Sequence, residues 1–459
     1  MTLKPLNTHT DASWKQWFRA SSIAWSKVAA GNPQRGLVCT NKDGIYQLYG
    51  WEVETAKLTR LTDQPAGVVS GLISADGRYV YYHRDERGNE IGHYVRVPFE
   101  GGEAEDVSPE LTPYASFFID QSHSGKVTGF LTAGASGFEI YVMAADESPR
   151  RIAHFRQLTF GPVLSYDGEI AVVDTSEYSG TLDTTLVAID TSTGAEIARL
   201  SDGDAVKHNF GSFSPLPGDF RILATTNRSG YDRPLIWNPR TGERHDLKID
   251  DIQGEVSAWA WSPDASQILL GQLYQAEYQL YLYDVAGQKA SRLDHPAGVL
   301  GGYNGNSFFM PSGEIFLTWQ DSLTPSRLIA LDATTGHQTR AVLVVGEAPA
   351  GRKWRSVHFR SENGVEIQGW LVTPEGDGPF PTILETHGGP TAVMSEYYSP
   401  NSQTWVEHGF AYFTINYHGS TTFGKDFERS IWGRLGQLEV EDMAGAYHWL
   451  VENGIAQPD

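Results

Sequence analysis

The sequence predicts an all-β seven-bladed β-propeller over residues 36–345, followed by the opening of an α/β domain over 351–459. Three observations carry that prediction. A turn motif recurs at a regular spacing, 48 glycines and 12% aromatic residues suit many short strands, and the pattern changes after residue 345.

The recurring turn reads Ser74-Ala75-Asp76-Gly77, Ser122-His123-Ser124-Gly125, Ser165-Tyr166-Asp167-Gly168, Ser214 to Asp219, Ser262-Pro263-Asp264 and Pro311-Ser312-Gly313. Positions 76, 124, 167, 219, 264 and 312 stand 48, 43, 52, 45 and 48 residues apart. Each turn precedes an apolar run, such as Arg78 to Tyr82 or Gln267 to Leu270. A second run follows, and three of these close on glycine turns at Gly194, Gly287 and Gly336. Repeats of 40–50 residues with several β-runs each are the mark of propeller blades. Six such units plus an earlier one from Gly36 to Leu61 make seven. Two stacked β-sandwiches are the alternative. Residues 1–35, with Trp14, Trp17, Phe18 and Trp25, are left unassigned.

Beyond Gly346-Glu347-Ala348-Pro349, Asn363-Gly364 separates two β-runs as a hairpin turn. Thr382-Ile383-Leu384 then leads into His387-Gly388-Gly389-Pro390, and Phe410 to Ile415 leads into Asn416-Tyr417-His418-Gly419-Ser420. Helices are predicted over about 401–408 and 437–453, with Gly409 and Gly454 as stops. Strand, glycine-rich turn, helix and strand is the opening of an α/β-hydrolase domain, in which the turn supplies part of an oxyanion hole. The nucleophile elbow of such a domain, G-x-S-x-G, surrounds none of the serines. The expectation is half of a serine hydrolase's site, with Ser, Asp and His carried beyond Asp459.

His387-Gly388-Gly389-Pro390, Trp405 to Phe410, Asn416 to Ser420, Phe423-Gly424, Trp432-Gly433 and Asp442 together resemble the prolyl oligopeptidase family of serine peptidases, on its acylaminoacyl-peptidase and dipeptidyl-peptidase V-like branch. The resemblance covers 351–459 by motif and 36–345 by architecture. It implies a serine peptidase or hydrolase acting on short peptides or acyl-amino acids, with the propeller limiting access. It also implies that Gly389, helped by Gly388, offers a backbone N–H to the oxyanion. That branch carries Arg where this chain has His418.

His387 precedes any nucleophile, whereas α/β-hydrolases run Ser, Asp or Glu, then His, so it is expected to orient the turn rather than act as the base. His358, His408, His418 and His448 read as surface or packing residues, Trp432 as packing, and Glu441 and Asp442 as helix-start charges. No H-E-x-x-H or C-x-x-C occurs, so neither a metal nor a cofactor is expected. A net charge of −21 with both parts acidic argues against nucleic-acid and anionic-membrane partners. The single Cys39 and the polar start read as cytoplasmic. Two other functions stay open at this point: a non-catalytic propeller that binds a partner, and a hydrolase of small-molecule esters or amides.

Overall fold

The computed structural model describes residues 5–145, 147–302 and 305–458. Among these residues, seven antiparallel blades occupy 23–343. The first is a meander of Ile23–Ala29, Asn32–Thr40, Gln47–Glu52 and Lys57–Arg60. The second and third are fused into one nine-stranded sheet, because Tyr114–Ala115 pairs with both Ile91–Pro98 and Val127–Gly134. Three four-stranded meanders follow over 159–200, 208–246 and 255–292, and a five-stranded seventh unit over 299–343.

The turn motif recurs for a chemical reason. In Ser74, Ser122, Ser165 and Ser262, each buried, the hydroxyl accepts the backbone N–H five residues on, at 2.9–3.0 Å. In these four blades the serine thereby pins the return that leads into the following strand. Where Asp76 or Asp264 follows, it takes the serine's own proton, at 2.6 and 2.7 Å.

Blade cores are shared between neighbours, all the way round. Leu37 and Leu48 pack with Val80 and Val95, Phe130 with Tyr81 and Tyr94, Leu131 with Val173, and Val172 with Ala224. Leu223 packs with Ile268, and Leu269 with Ile315. The seventh cluster joins last to first: Phe316, Leu328 and Ala330 against Ile23, Val38 and Trp51. Ile23 N–H also donates to Ser326 O at 2.9 Å, and Asn306 bonds both the N–H and the C=O of Ser26. The ring is closed by side-chain packing and these bonds, and among the described residues no strand from one end completes a sheet at the other.

The first blade begins at Ile23, ahead of the boundary expected at 36. Its inner strand lacks a two-residue alternation because the register slips between Ile23 and Trp25 and again between Val28 and Ala29. Upstream, helix Ser13–Arg19 packs on helix Pro400–Glu407 of the C-terminal part. Trp17 is buried there, and Tyr398 Oη donates to Trp17 O at 2.8 Å.

The C-terminal sheet has the order Arg355–Arg360, Glu366–Val372, Ala411–Asn416, Thr382–Thr386. The first three strands are antiparallel to their neighbours, and the last pair is parallel. The predicted helices form at Pro400–Glu407 and Leu438–Glu452. After the second, the chain returns beside the outer strand. Phe380 and Ala456 form a parallel bridge, with Phe380 N–H to Ile455 O at 2.7 Å and Gln457 N–H to Phe380 O at 3.1 Å. Among the described residues, no helix is long and apolar enough to cross a membrane.

Candidate active site

Strand Thr382–Thr386 delivers His387-Gly388-Gly389-Pro390 to the C-terminal end of the parallel pair, where ligands of α/β sheets bind. The N–H groups of Gly388 and Gly389 have no hydrogen-bond partner among the described residues, and both glycines are exposed. Gly389 has φ +141, and a Cβ there would lie 2.7 Å from Thr391 N, so only glycine fits. At Gly388 a Cβ would meet nothing within 4 Å, which leaves the approach to the turn clear.

Four side chains hold the turn from behind. His387 Nδ1 lies 3.0 Å from Gly388 O, and its Nε2 lies 2.8 Å from Ser420 Oγ. The ring stacks on Tyr417 at 4.6 Å, and Tyr417 Oη donates to His387 O at 2.8 Å. Burial lowers the His387 pKa, so the ring is neutral near pH 7. Asn416, fully buried, receives Met394 N–H at 2.7 Å and donates to Met394 O at 2.9 Å, which fixes the far end of the loop. Gly419 has φ +99, and a Cβ on it would stand 2.9 Å from Pro390 Cβ, so the two loops touch at backbone distance.

The second loop is anchored by a pair that the sequence reading missed. Asp442 is fully buried and accepts the His418 N–H at 2.7 Å while lying 2.8 Å from His418 Nδ1. It is therefore no helix-start charge. Leu438–Glu452 points it inward at its fifth position, and only Glu439 and Glu441 occupy the first turn. His418 is buried and stacked on Phe427 at 4.9 Å, the packing alternative of the two expected for it. The only available signal was the chain's His in place of the Arg of the resembling branch. Trp432, expected to pack, is exposed, with the Arg429 guanidinium over its face at 4.9 Å.

The loops face the ring across a cavity of about 820 Å³. Thr391, Val393 and Thr422 line one side, and Phe160, Phe210 and Trp259 line the other. Arg429 crosses to Asp183 at 2.5 Å, and Lys425 N–H to Gly230 O at 2.8 Å. Phe118, Gly211, Ser212 and Trp259 also line a second cavity of about 740 Å³ along the ring's axis, bounded by all seven inner strands. Carboxyls are buried in this region: desolvation raises Asp174 to about 7 and Glu255 to about 8, against the smaller opposing pull of Lys207. Among the described residues, no cluster of His, Cys, Asp and Glu could hold a metal ion. Cys39 is buried in the first blade, and burial pushes its thiol up to about 12.

Known proteins share the fold. The chain is 22% identical to a dipeptidyl aminopeptidase BIII from Pseudoxanthomonas mexicana, over 96% of its own length and 68% of the relative's. It is 24% identical to a dipeptidyl-peptidase 5 from Porphyromonas endodontalis, over 95% of this chain and 62% of that one. It thus spans about two thirds of the length of these relatives. Among solved structures, one from a study of two prolyl endopeptidases superposes with a TM-score of 0.79 at 15% identity, over 97% of this chain and 68% of that one. A puromycin-hydrolyzing peptidase of Mycobacterium tuberculosis gives 0.77 at 15% identity, over 98% and 74%. These likenesses establish a propeller joined to a hydrolase-type domain. The family model described as prolyl oligopeptidase family matches residues 396–459, the stretch that carries the Asn416–Ser420 loop and Asp442. The C-terminal part of the chain is thus similar to the prolyl oligopeptidase family, and relatives named as peptidases align along nearly its whole length at 22–24% identity.

Proposed function

We propose that this chain forms the access ring and the oxyanion half of a serine peptidase acting on short peptides or acyl-amino acids, with Gly389 and Gly388 as backbone donors. One observation supports the reading above the others: two N–H groups without a partner among the described residues sit at the end of an edge strand, and just before that strand the chain returning along 455–457 already pairs with Phe380. In an α/β-hydrolase the nucleophile follows a parallel strand and attacks beside such donors. A serine delivered from that edge would face the turn. Its tetrahedral intermediate would then place negative charge where Gly389 N–H is free to donate, the kind of contact worth about 10²–10³ in kcat. The cavity between the loops and the ring would hold the substrate, and its size limits that substrate to a few residues.

The experiment is a comparison of two polypeptides by fluorophosphonate labelling and by turnover of dipeptidyl, acyl-peptide and simple ester substrates. Residues 1–459 are expected to give neither. A longer product of the same gene, with G-x-S-x-G following a short β-run after residue 459, is expected to give both. Stoichiometric labelling of 1–459 itself would overturn the proposal.

A further inference from the structure

We infer that His387 is a positioning residue: through the Gly388 carbonyl it sets the direction of the Gly389 N–H, and Ser420 fixes the ring tautomer that makes this possible. The inference rests on the reading of Gly389 as an oxyanion donor, and it concerns how that donor is aimed.

A carbonyl oxygen only accepts, so at 3.0 Å from Gly388 O the His387 Nδ1 must carry the proton. A neutral ring then has a bare Nε2, which needs a donor. Ser420 Oγ is 2.8 Å away and has one proton with two acceptors in reach, Nε2 and Tyr417 O at 2.7 Å. Tyr417 O already receives the Ser420 N–H at 3.0 Å, while Nε2 has no other donor among the described residues. The hydroxyl proton therefore goes to Nε2. Ser420 is itself fully buried, which removes water as a competitor.

The consequence follows from peptide geometry. The Gly388–Gly389 bond is trans and planar, so its C=O and N–H point in opposite directions. Holding Gly388 O toward the imidazole turns the Gly389 N–H away from it. Tyr417 stops the ring from swinging, by stacking and by its bond to His387 O. Without this brace a Gly-Gly peptide is free to flip, because neither residue carries a Cβ to resist rotation.

Nuclear magnetic resonance of the 1–459 chain, selectively ¹⁵N-labelled at His and Gly, tests this without any turnover. Long-range ¹H–¹⁵N correlation at pH 7 is expected to find the His387 proton on Nδ1. A proton on Nε2 would overturn the inference. Two variants separate positioning from bulk. His387→Asn places an amide N–H where Nδ1 stands and is expected to leave the Gly389 amide resonance near its wild-type position. His387→Gln reaches toward Ser420 instead and is expected to shift and broaden it. Equal displacement in both variants would overturn the inference. Should either variant fold poorly, the wild-type tautomer still decides. If the tautomer and amide signatures hold while no longer product of the gene shows hydrolase activity, the oxyanion reading fails and the aiming of the peptide stands.

Discussion

The ring and the C-terminal sheet are built from similar apolar strands, yet they finish differently. In the fourth blade, all six residues of Ile170–Thr175 are buried, and the blade shares its core with the third and the fifth. In the C-terminal sheet, Ala411–Asn416 is equally buried, while every residue of its neighbour Thr382–Thr386 is only half-covered. A ring has no outermost blade. A sheet has two edge strands, and here one of them carries the candidate oxyanion turn. Stability in the ring comes from cyclic repetition, whereas order at the site depends on a few side chains that tie the turn down from one side.

The most damaging test of that contrast is Phe316→Ala. Phe316 is buried where the last blade meets the first, with its ring 6.4 Å from that of Trp51. A loss of about 3–5 kcal/mol is expected, the range for truncating a buried aromatic. Hydrogen exchange should rise across the whole of 23–343 rather than in one blade. A rise confined to the seventh blade would mean that the ring does not act as one unit.

Asn416→Ala probes the other side of the comparison. It strips Met394 of two hydrogen bonds in a buried site, at a cost of about 1–3 kcal/mol. Exchange is expected to quicken in 388–394 and in Thr382–Thr386 while the ring stays protected. Equal quickening in both regions would show that the two are coupled.

Asp174 gives a smaller effect with a definite sign. Its carboxyl is 5% exposed, Oδ1 has no hydrogen-bond partner, and desolvation raises it to about 7. Between its unfolded value near 4 and pH 7 the folded state holds the extra proton, so stability falls as pH rises through that window. Lowering the pH from 8 to 6 should therefore stabilise the protein. Asp174→Asn should raise stability at pH 8 by about 1 kcal/mol and flatten the profile, read by thermal unfolding at several pH values. An unchanged profile would rule out Asp174 as its source.

The least perturbing change is His418→Arg. A guanidinium can pair with Asp442 and lie on Phe427 as the imidazole does, so a change within about 1 kcal/mol is expected in thermal unfolding. A larger loss would show that the pocket is shaped for the smaller ring.

Much of this was legible in the chain. The turn serines announce the blades because in four of the seven one hydroxyl makes the same bond. Asn363-Gly364 and the glycine stops at 409 and 454 mark local events that need no distant partner, and the structure places elements there. The first strand was not legible, since its bulges break the alternation. The two-residue strand Tyr114–Ala115, which fuses two blades, is too short to carry a pattern. At the site, His387-Gly388-Gly389-Pro390 stood out as a motif, but its brace did not. Ser420 lies 33 residues away and Asp442 lies 24 from His418, and nothing local ties either to its partner.

The docking of helix Ser13–Arg19 onto Pro400–Glu407 bears on the order in which the molecule can assemble. The bond between Tyr398 and Trp17 spans 381 residues, so forming it in an open chain means closing a very long loop. Once the ring has joined Ile23 to Ser326, the loop left to close is the 6 residues from Trp17 to Ile23 plus the 72 from Ser326 to Tyr398. Since closure entropy grows with the logarithm of loop length, that shortening is worth about 1.4 kcal/mol. Ring closure first and helix docking second is the cheaper route. A chain stalled before its last blade would leave both helices without a partner, and Trp17 exposed as a fluorescent report of the delay.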